Sequence, residues 1–255
     1  MSIANAWSLL YKQVNEQDRE TQHGYLKIIS EKVRNIPLEY LVQEEALFIP
    51  NDDYVKIFLG NSALLNENGF YYDTTSIWSG YVIFPIRDLG NQAKGIGGFN
   101  PQIYLQAKET QDYSMHYYSY TSKSLFSKGD YLFWGKDGYD KAYHDGYVIL
   151  VDGMFDAIQL RGLGFNAAAL MGSSLTESIL AQLRFIKRKI IISDNDEAGY
   201  KLEMGLKKNL KDCVSLRQGY DKDVDGAIKL GYSDKIIREL NAMIKEPVAL
   251  DHVLR

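Results

Sequence analysis

The residues best placed to do chemistry are acids that follow apolar runs in the second half of the chain. VILVDG ends on Asp152, and IIISDND supplies Asp194 and Asp196. Asp156 lies four residues after Asp152, so a helix starting nearby would carry it on the same face. Further on, DKDVD repeats the two-apart spacing with Asp223 and Asp225. An Asp after a strand is often no more than the N-cap of the next helix. A converging set is a different matter. Two carboxylates 5 Å apart at an effective dielectric near 20 repel by roughly 3 kcal/mol, so such acids must be protonated, splayed apart or bridged by cations. Neither stretch contains His or Cys, and an all-oxygen donor set selects hard cations, Mg²⁺ or Mn²⁺. Paired ions of this kind support metal-dependent phosphoryl chemistry. Cys213 is the only cysteine, which excludes a disulfide framework and a multi-cysteine zinc site, so no zinc is expected.

The elements that must position these acids are legible from periodicity. From residue 146 the chain alternates GYVILV, a helical MFDAIQLRGLG, NAAALMG, a helical LTESILAQLRFI, KIIIS and a helical EAGYKLEMGLKKNL. Strands alternating with helices at this spacing predict an α/β domain, a parallel sheet flanked by helices, over residues 146–218. Ser174 or Thr176 is the expected cap of the second helix. Residues 1–145 mix helical stretches such as YLKIISEKV with aromatic and β-branched runs, predicting an α+β subdomain. Residues 219–255, with SDKIIRELNAMIKEP, predict a short helical tail. In a doubly wound sheet, ligands sit at the carboxyl ends of the strands, where both acidic clusters fall.

Composition bounds the rest. With 255 residues, 45% of them hydrophobic, the chain can bury its own core. A net charge of −4 argues against coating nucleic acid by bulk electrostatics. The basic runs RFIKRK and KLEMGLKKNLK are either solvated helix faces or the lining of a DNA groove. No apolar run reaches membrane-spanning length and MSIANAWSLLYKQ lacks the pattern of a secretory signal, so a cytoplasmic location is expected.

The order VDGMFDAIQLRGLG, ALMGSSLT, IIISDNDEAG resembles the Toprim domain. Upstream, YVIFPIRDLGNQAKGIGGFN and HYYSYTSKSLFSKGDYLFWG resemble the bacterial and phage-type (DnaG-like) DNA primases, and YDKDVD is similar to that family's late Asp-Pro-Asp element. GIGGFN runs between strands instead of opening a helix, which sets aside a dinucleotide fingerprint.

The resemblance implies an RNA-polymerase core that makes RNA primers on a single-stranded DNA template from ribonucleoside triphosphates. It implies Asp152, Asp194, Asp196 and Lys128 as catalytic residues, and Asp152, Asp156, Asp194, Asp196, Asp223 and Asp225 as ligands of Mg²⁺ or Mn²⁺. Lys128, Tyr117, His116, Ser119, Asn100 and Lys94 are implied to contact nucleotide or nucleic acid. A replicative helicase or a separate template-recognition subunit is the expected partner. The chain departs from the family at Asp152, where the usual residue is Glu, shortening the reach of the carboxylate by about 1.5 Å. Asn100 stands for an arginine, His116 for another basic residue and Ser119 for an asparagine. These departures keep two rival readings open: a Toprim-type nuclease and a catalytically weakened nucleic-acid-binding protein.

Overall fold

The computed structural model describes every residue except 1, 73–74, 113, 115, 122–124, 172–174, 218 and 246–255. The chain divides into two compact units, Met1–Lys128 and Gly129–Arg255.

The first unit begins with α1 (Ile3–Gln17), capped where Ser2 Oγ accepts from Asn5 N. Ala6, Trp7, Leu10 and Val14 are its buried residues, and they recur along one helical face. Then come α2 (Arg19–Ile28), a π-helical segment (Ile29–Arg34), α3 (Leu38–Gln43), β1 (Leu47–Phe48), α4 (Tyr54–Leu59) and α5 (Ser62–Glu67). The helix expected over YLKIISEKV thus runs from α2 into the π-helical segment. A small hairpin, β2 (Tyr71–Tyr72) and β3 (Thr75–Ser76), precedes β4 (Val82–Arg87), β5 (Ala93–Phe99), α6 (Pro101–Thr110) and β6 (Tyr118–Tyr120). The main sheet is antiparallel in the order β1-β4-β5-β6. Its glycines have a steric reason. A Cβ on Gly98 would stand 2.4 Å from the Trp78 ring, and one on Gly95 would stand 2.4 Å from that of Phe126. Trp78 is fully buried among Trp7, Leu10, Phe70, Ile83 and Ile96.

The second unit holds a 3₁₀ turn that begins at the junction (Lys128–Asp130), then α7 (Gly138–Asp145), β7 (Tyr147–Val151), α8 (Met154–Gly162), β8 (Ala167–Ala169), α9 (Glu177–Leu183), β9 (Arg188–Ile192), α10 (Glu197–Asn209), β10 (Cys213–Ser215), α11 (Val224–Lys229) and α12 (Ser233–Lys245). Its sheet is parallel throughout, in the order β10-β9-β7-β8, with helices around it. This is the α/β architecture expected, preceded by an α+β region and followed by helices. Thr176 caps α9 by accepting from Ile179 N, while Ser174 lies outside the described residues.

The unit starts before residue 146, where the strand alternation begins. Phe133 bridges Ala169, and Leu132, Trp134 and Ala142 belong to the core with Val148, Leu150 and Ile191. Trp134 Nε1 also donates to Gln182 on α9 at 3.1 Å. Segment 129–145 is therefore built into the parallel-sheet unit. Segment 219–245 is too, since α11 lies against α8.

Gly98→Ala is expected to destabilise the protein by about 1–3 kcal/mol, because neither Trp78 nor the strand can yield cheaply. Urea unfolding of the variant would show the lowered midpoint, and an unchanged midpoint would contradict this account of the glycine.

Candidate functional site

Sheet topology brings the acids together. From β7 the chain steps to β8 on one side, then returns across β7 to β9 on the other, so the strand order reverses between β7 and β9. Crevices at such switch points lie outside the carboxyl ends of the strands. Val151 pairs with Ile192 at the ends of these two strands, which puts Asp152 beside the turn that carries Asp194 and Asp196. Asp194 N donates to Asp152 Oδ2 at 3.3 Å. The other oxygen, Asp152 Oδ1, is buried and has no hydrogen-bond partner among the described residues.

Capping and site geometry coincide at two positions. Asp196 Oδ1 caps α10 by accepting from Gly199 N at 2.9 Å, and Asp223 Oδ1 caps α11 by accepting from Gly226 N at 2.7 Å. Each leaves its second oxygen uncommitted by the cap. Asp152 caps nothing; Gly153 is the N-cap residue of α8. Gly199 is demanded by close approach, since a Cβ there would fall 2.3 Å from the Asp194 carbonyl oxygen.

Asp156 and Asp225 are held more deeply. Asp225 N donates to Asp156 Oδ1 at 2.8 Å, tying α11 to α8. Asp225 Oδ1 accepts from Gln159 Nε2 at 2.9 Å, and Oδ2 is paired with Lys229 Nζ at 2.5 Å. Asp225 Oδ1 thus ties α11 to α8, while Oδ2 is paired within α11. Among the described residues no three His, Cys, Asp or Glu side chains stand as a ready-made metal cage. Two cations stand beside these acids: Lys229 on Asp225, and Lys222, whose Nζ lies 3.7 Å from Asp194 Oδ2 and 3.9 Å from Asp196 Oδ2.

The electrostatics record the crowding. Burial raises the Asp194 carboxyl to about 6, the Asp152 charge adds to the rise, and Lys222 opposes it. Burial also raises Asp152, against the pull of the Asp194 amide. Asp156, only 7% exposed, is pushed to about 8 by burial and then by Asp223. The shifts thus come first from burial, and neighbouring carboxylates add to them.

The nucleotide-contact candidates all sit in the first unit. Asn100 N donates to Tyr117 O at 2.8 Å, Ser119 pairs with Gly98 across β5 and β6, and Lys128 Nζ lies 5.1 Å from the Tyr120 ring centre. Edge strand β6 thus gathers Asn100, Tyr117 and Ser119, with Lys128 over its last ring. Asn100 spends its side-chain oxygen on capping α6, accepting from Gln102 N and Ile103 N. Tyr117 is half-buried against Tyr104 and Tyr118. His116 is exposed, whereas Lys94, toward the other end of β5, is ion-paired with Asp88 at 3.1 Å.

Sequence reasoning passed over Lys222, Asn195, Gln159 and Lys229. Helical spacing was the available signal for two of them: Gln159 follows Asp156 by three residues, and Lys229 follows Asp225 by four. Also unforeseen is a pocket of about 260 Å³ beside the acids, lined by Ser193, Asp194, Asp196, Tyr200, Glu203 and Arg217. Arg217 there lies 5.5 Å from the Tyr200 ring centre and pairs with the buried Glu203 at 3.3 Å.

Residues 149–228 match the Toprim-like family. The chain is 29% identical over 201 residues to a DNA primase of Aquifex aeolicus, covering 74% of this chain and 38% of that protein. It is 30% identical over 162 residues to a DNA primase of Rickettsia bellii, covering 60% of this chain and 24% of the relative. It therefore spans well under half the length of these two primases. Among solved structures, the DnaG primase catalytic domain bound to ssDNA superposes with a TM-score of 0.71 at 19% identity, over 94% of this chain and 78% of that one. The zinc-binding and RNA polymerase domains of the Aquifex aeolicus primase give 0.70 at 21%, over 94% and 60%. The fold is that of the bacterial primase catalytic core.

The Asp156 carboxyl sets a pH dependence. An unfolded Asp loses its proton near pH 4, whereas Asp156 in the folded protein keeps it to about 8, so the folded state holds the extra proton between those values. Stability without divalent ions should accordingly fall as pH rises through that window, by about 1 kcal/mol per pH unit from this group. Asp156→Asn should flatten the decline and raise the melting temperature at the alkaline end. Melting curves in chelator across the window check it, and an unaltered slope would refute the assignment.

Proposed function

We propose that this relative of the bacterial DNA primases synthesises short RNA primers on single-stranded DNA by metal-dependent nucleotidyl transfer. The observation that carries the reading is the buried, unpartnered Asp152 Oδ1 at the switch point, beside the raised carboxyl of Asp194. A buried carboxylate oxygen without a donor is costly unless a cation meets it. All the nearby donors are carboxylate oxygens, which fits Mg²⁺ or Mn²⁺ better than zinc.

Asp152, Asp194 and Asp196 would hold the ions. Bound there, divalent ions neutralise the phosphates and stabilise the attacking and leaving oxygens of phosphoryl transfer. The chain's own residues prepare the place. The Asp194 amide fixes the Asp152 carboxylate through Oδ2 and leaves Oδ1 free, while Asp196, whose Oδ2 faces the exposed Lys222, is fixed through Oδ1 by the α10 cap. Asp223 uses the same arrangement at α11. Asp156 and Asp225 act from behind as braces, holding α8 against α11 so that these acids stay in position.

In the first unit, Lys128 supplies an exposed positive charge for phosphate, positioned over Tyr120. Exposed His116 and the β6 edge at Tyr117 and Ser119 offer contacts for nucleotide or template, with Asn100 shaping that edge through its cap. Lys94 would serve only after leaving Asp88. Ribonucleoside triphosphates and single-stranded DNA are the substrates in this reading, with a replicative helicase or separate recognition subunit directing initiation. The site of action is the cytoplasm; no helix among the described residues is long and apolar enough to cross a membrane.

Purified protein given single-stranded DNA, ribonucleotides and Mg²⁺ or Mn²⁺ should yield short oligoribonucleotides, with none in chelator. Asp194→Asn should reduce synthesis by about a hundredfold or more, the loss expected when several kcal/mol of charge stabilisation is removed. Lys128→Ala should raise the KM for nucleotide or template. Absence of product on every template, with helicase supplied, would overturn the proposal, and divalent-dependent loss of labelled nucleic acid without added nucleotides would point to a nuclease.

A further inference from the structure

The middle residue of the Asp-x-Asp turn acts as a latch. Asn195 N donates to Lys222 O at 3.0 Å, and Asn195 Nδ2 donates to Asp221 O at 2.6 Å. Two hydrogen bonds from one residue fasten the loop before α11 to the carboxyl end of β9. The consequence is a charge placed where the acids converge: Lys222 Nζ stands 3.7 Å from Asp194 Oδ2 and 3.9 Å from Asp196 Oδ2. Both distances exceed hydrogen-bond length, so the attraction acts through space without directional bonds. The lysine side chain is 66% exposed and can swing away without opening the core.

Other cations nearby are committed elsewhere. Arg217 lines the same pocket as Asp194 and Asp196 but is paired with Glu203, and Lys229 is paired with Asp225. Lys201 on α10 is drawn to the exposed Glu197 at 2.6 Å. Lys222 is thus the cation that the fold sets against this pair of acids.

We infer that Lys222 is the resident counter-cation of the acid cluster, holding Asp194 and Asp196 together before a divalent ion enters and competing with that ion for their oxygens. The inference rests on reading these acids as metal ligands. Its physical logic is exchange of one cation for another. Like charges gathered at one edge need compensation at all times, and an ammonium on a long stem gives it reversibly. Because exposed ion pairs are weak, the ammonium yields to a divalent ion, at a modest cost in affinity.

The test is direct titration of the intact chain with Mn²⁺ alone at neutral pH, following free Mn²⁺ by electron paramagnetic resonance. Lys222→Met should bind Mn²⁺ about fivefold more tightly, the upper range for an exposed ion pair, and should melt at a lower temperature than wild type in chelator. Lys201→Met, an equal change in net charge on the neighbouring helix, should leave affinity unchanged. Equal or weaker binding by Lys222→Met, or equal tightening by Lys201→Met, overturns the role of Lys222. Asp194→Asn separates the two ideas. If it loses Mn²⁺ while Lys222→Met binds like wild type, only the counter-cation role fails; if it binds Mn²⁺ like wild type, the reading of the acids as ligands fails and takes the inference with it.

Discussion

Everything at the carboxyl edge of the parallel sheet answers to one constraint: several carboxylates are forced close together, and their repulsion must be absorbed. The sheet imposes the closeness, because reversal of strand order between β7 and β9 makes neighbours of segments far apart in sequence. The absorption is distributed. Asp152 and Asp156 each receive a backbone amide, Asp196 and Asp223 cap helices, Asp225 is paired with Lys229, Asp194 and Asp196 face Lys222, and Asp156 is also neutralised by keeping its proton. Six acids with the same side chain thereby acquire different tasks, determined by depth and partners. The shallow ones present oxygens that are bare or faced only at long range by an exposed lysine, and the deep ones serve as joints between helices.

That division explains what could and could not be read in advance. Strands β7 and β9 were legible because both faces are buried, so VILV and III appear as uninterrupted apolar runs. Their terminal acids were legible for the same reason. The fourth strand was not, since Cys213–Ser215 is three residues long and only half-buried at the sheet edge, leaving no run to see. The start of the unit was equally hidden. Phe133 joins the sheet through a single bridge, and nothing in LFWG distinguishes that bridge from loop. Asp225 and Asp223 share one motif and one spacing, yet Lys229 claims the first while the second caps a helix. The pair with Lys229 and the cap are local in sequence, whereas the bond from Gln159 that holds Asp225 to α8 is long-range.

The capping acids show that the structural and the chemical reading of a strand-end Asp are compatible. A carboxylate has two oxygens, and a cap consumes one. At Asp196 and Asp223 the cap is itself the device that aims the second oxygen, because the bond to Gly199 N or Gly226 N leaves the side chain little freedom. Gly199 completes the arrangement by letting α10 begin directly against the Asp194 carbonyl. The Asp-x-Asp-x-Ala-Gly run of residues 194–199 thus has a mechanical meaning: the second Asp starts a helix, the Gly admits it, and Asn195 between the acids holds the loop of Lys222.

The same economy governs the first unit, where the chain departs from the pattern it resembles. An arginine at position 100 would bring charge to the end of β5, but Asn100 brings a cap, and its backbone stays bonded to Tyr117. Near that edge the buried Arg34 lies over the Phe99 and Tyr104 rings, and the exposed charge is that of Lys128, whose ammonium lies over the ring of Tyr120. A lysine resting on a tyrosine keeps its stem in apolar contact and its head in water, so it presents charge without the desolvation that a buried arginine would incur. Replacing an arginine fork by an asparagine cap and a separate lysine exchanges bidentate, directional recognition of phosphate for a mobile point charge. Electrostatic attraction to phosphate survives that exchange better than geometric discrimination does. In the proposed reaction the burden of alignment therefore moves to the second unit, where amide, cap and brace hold Asp152, Asp194 and Asp196 in fixed positions.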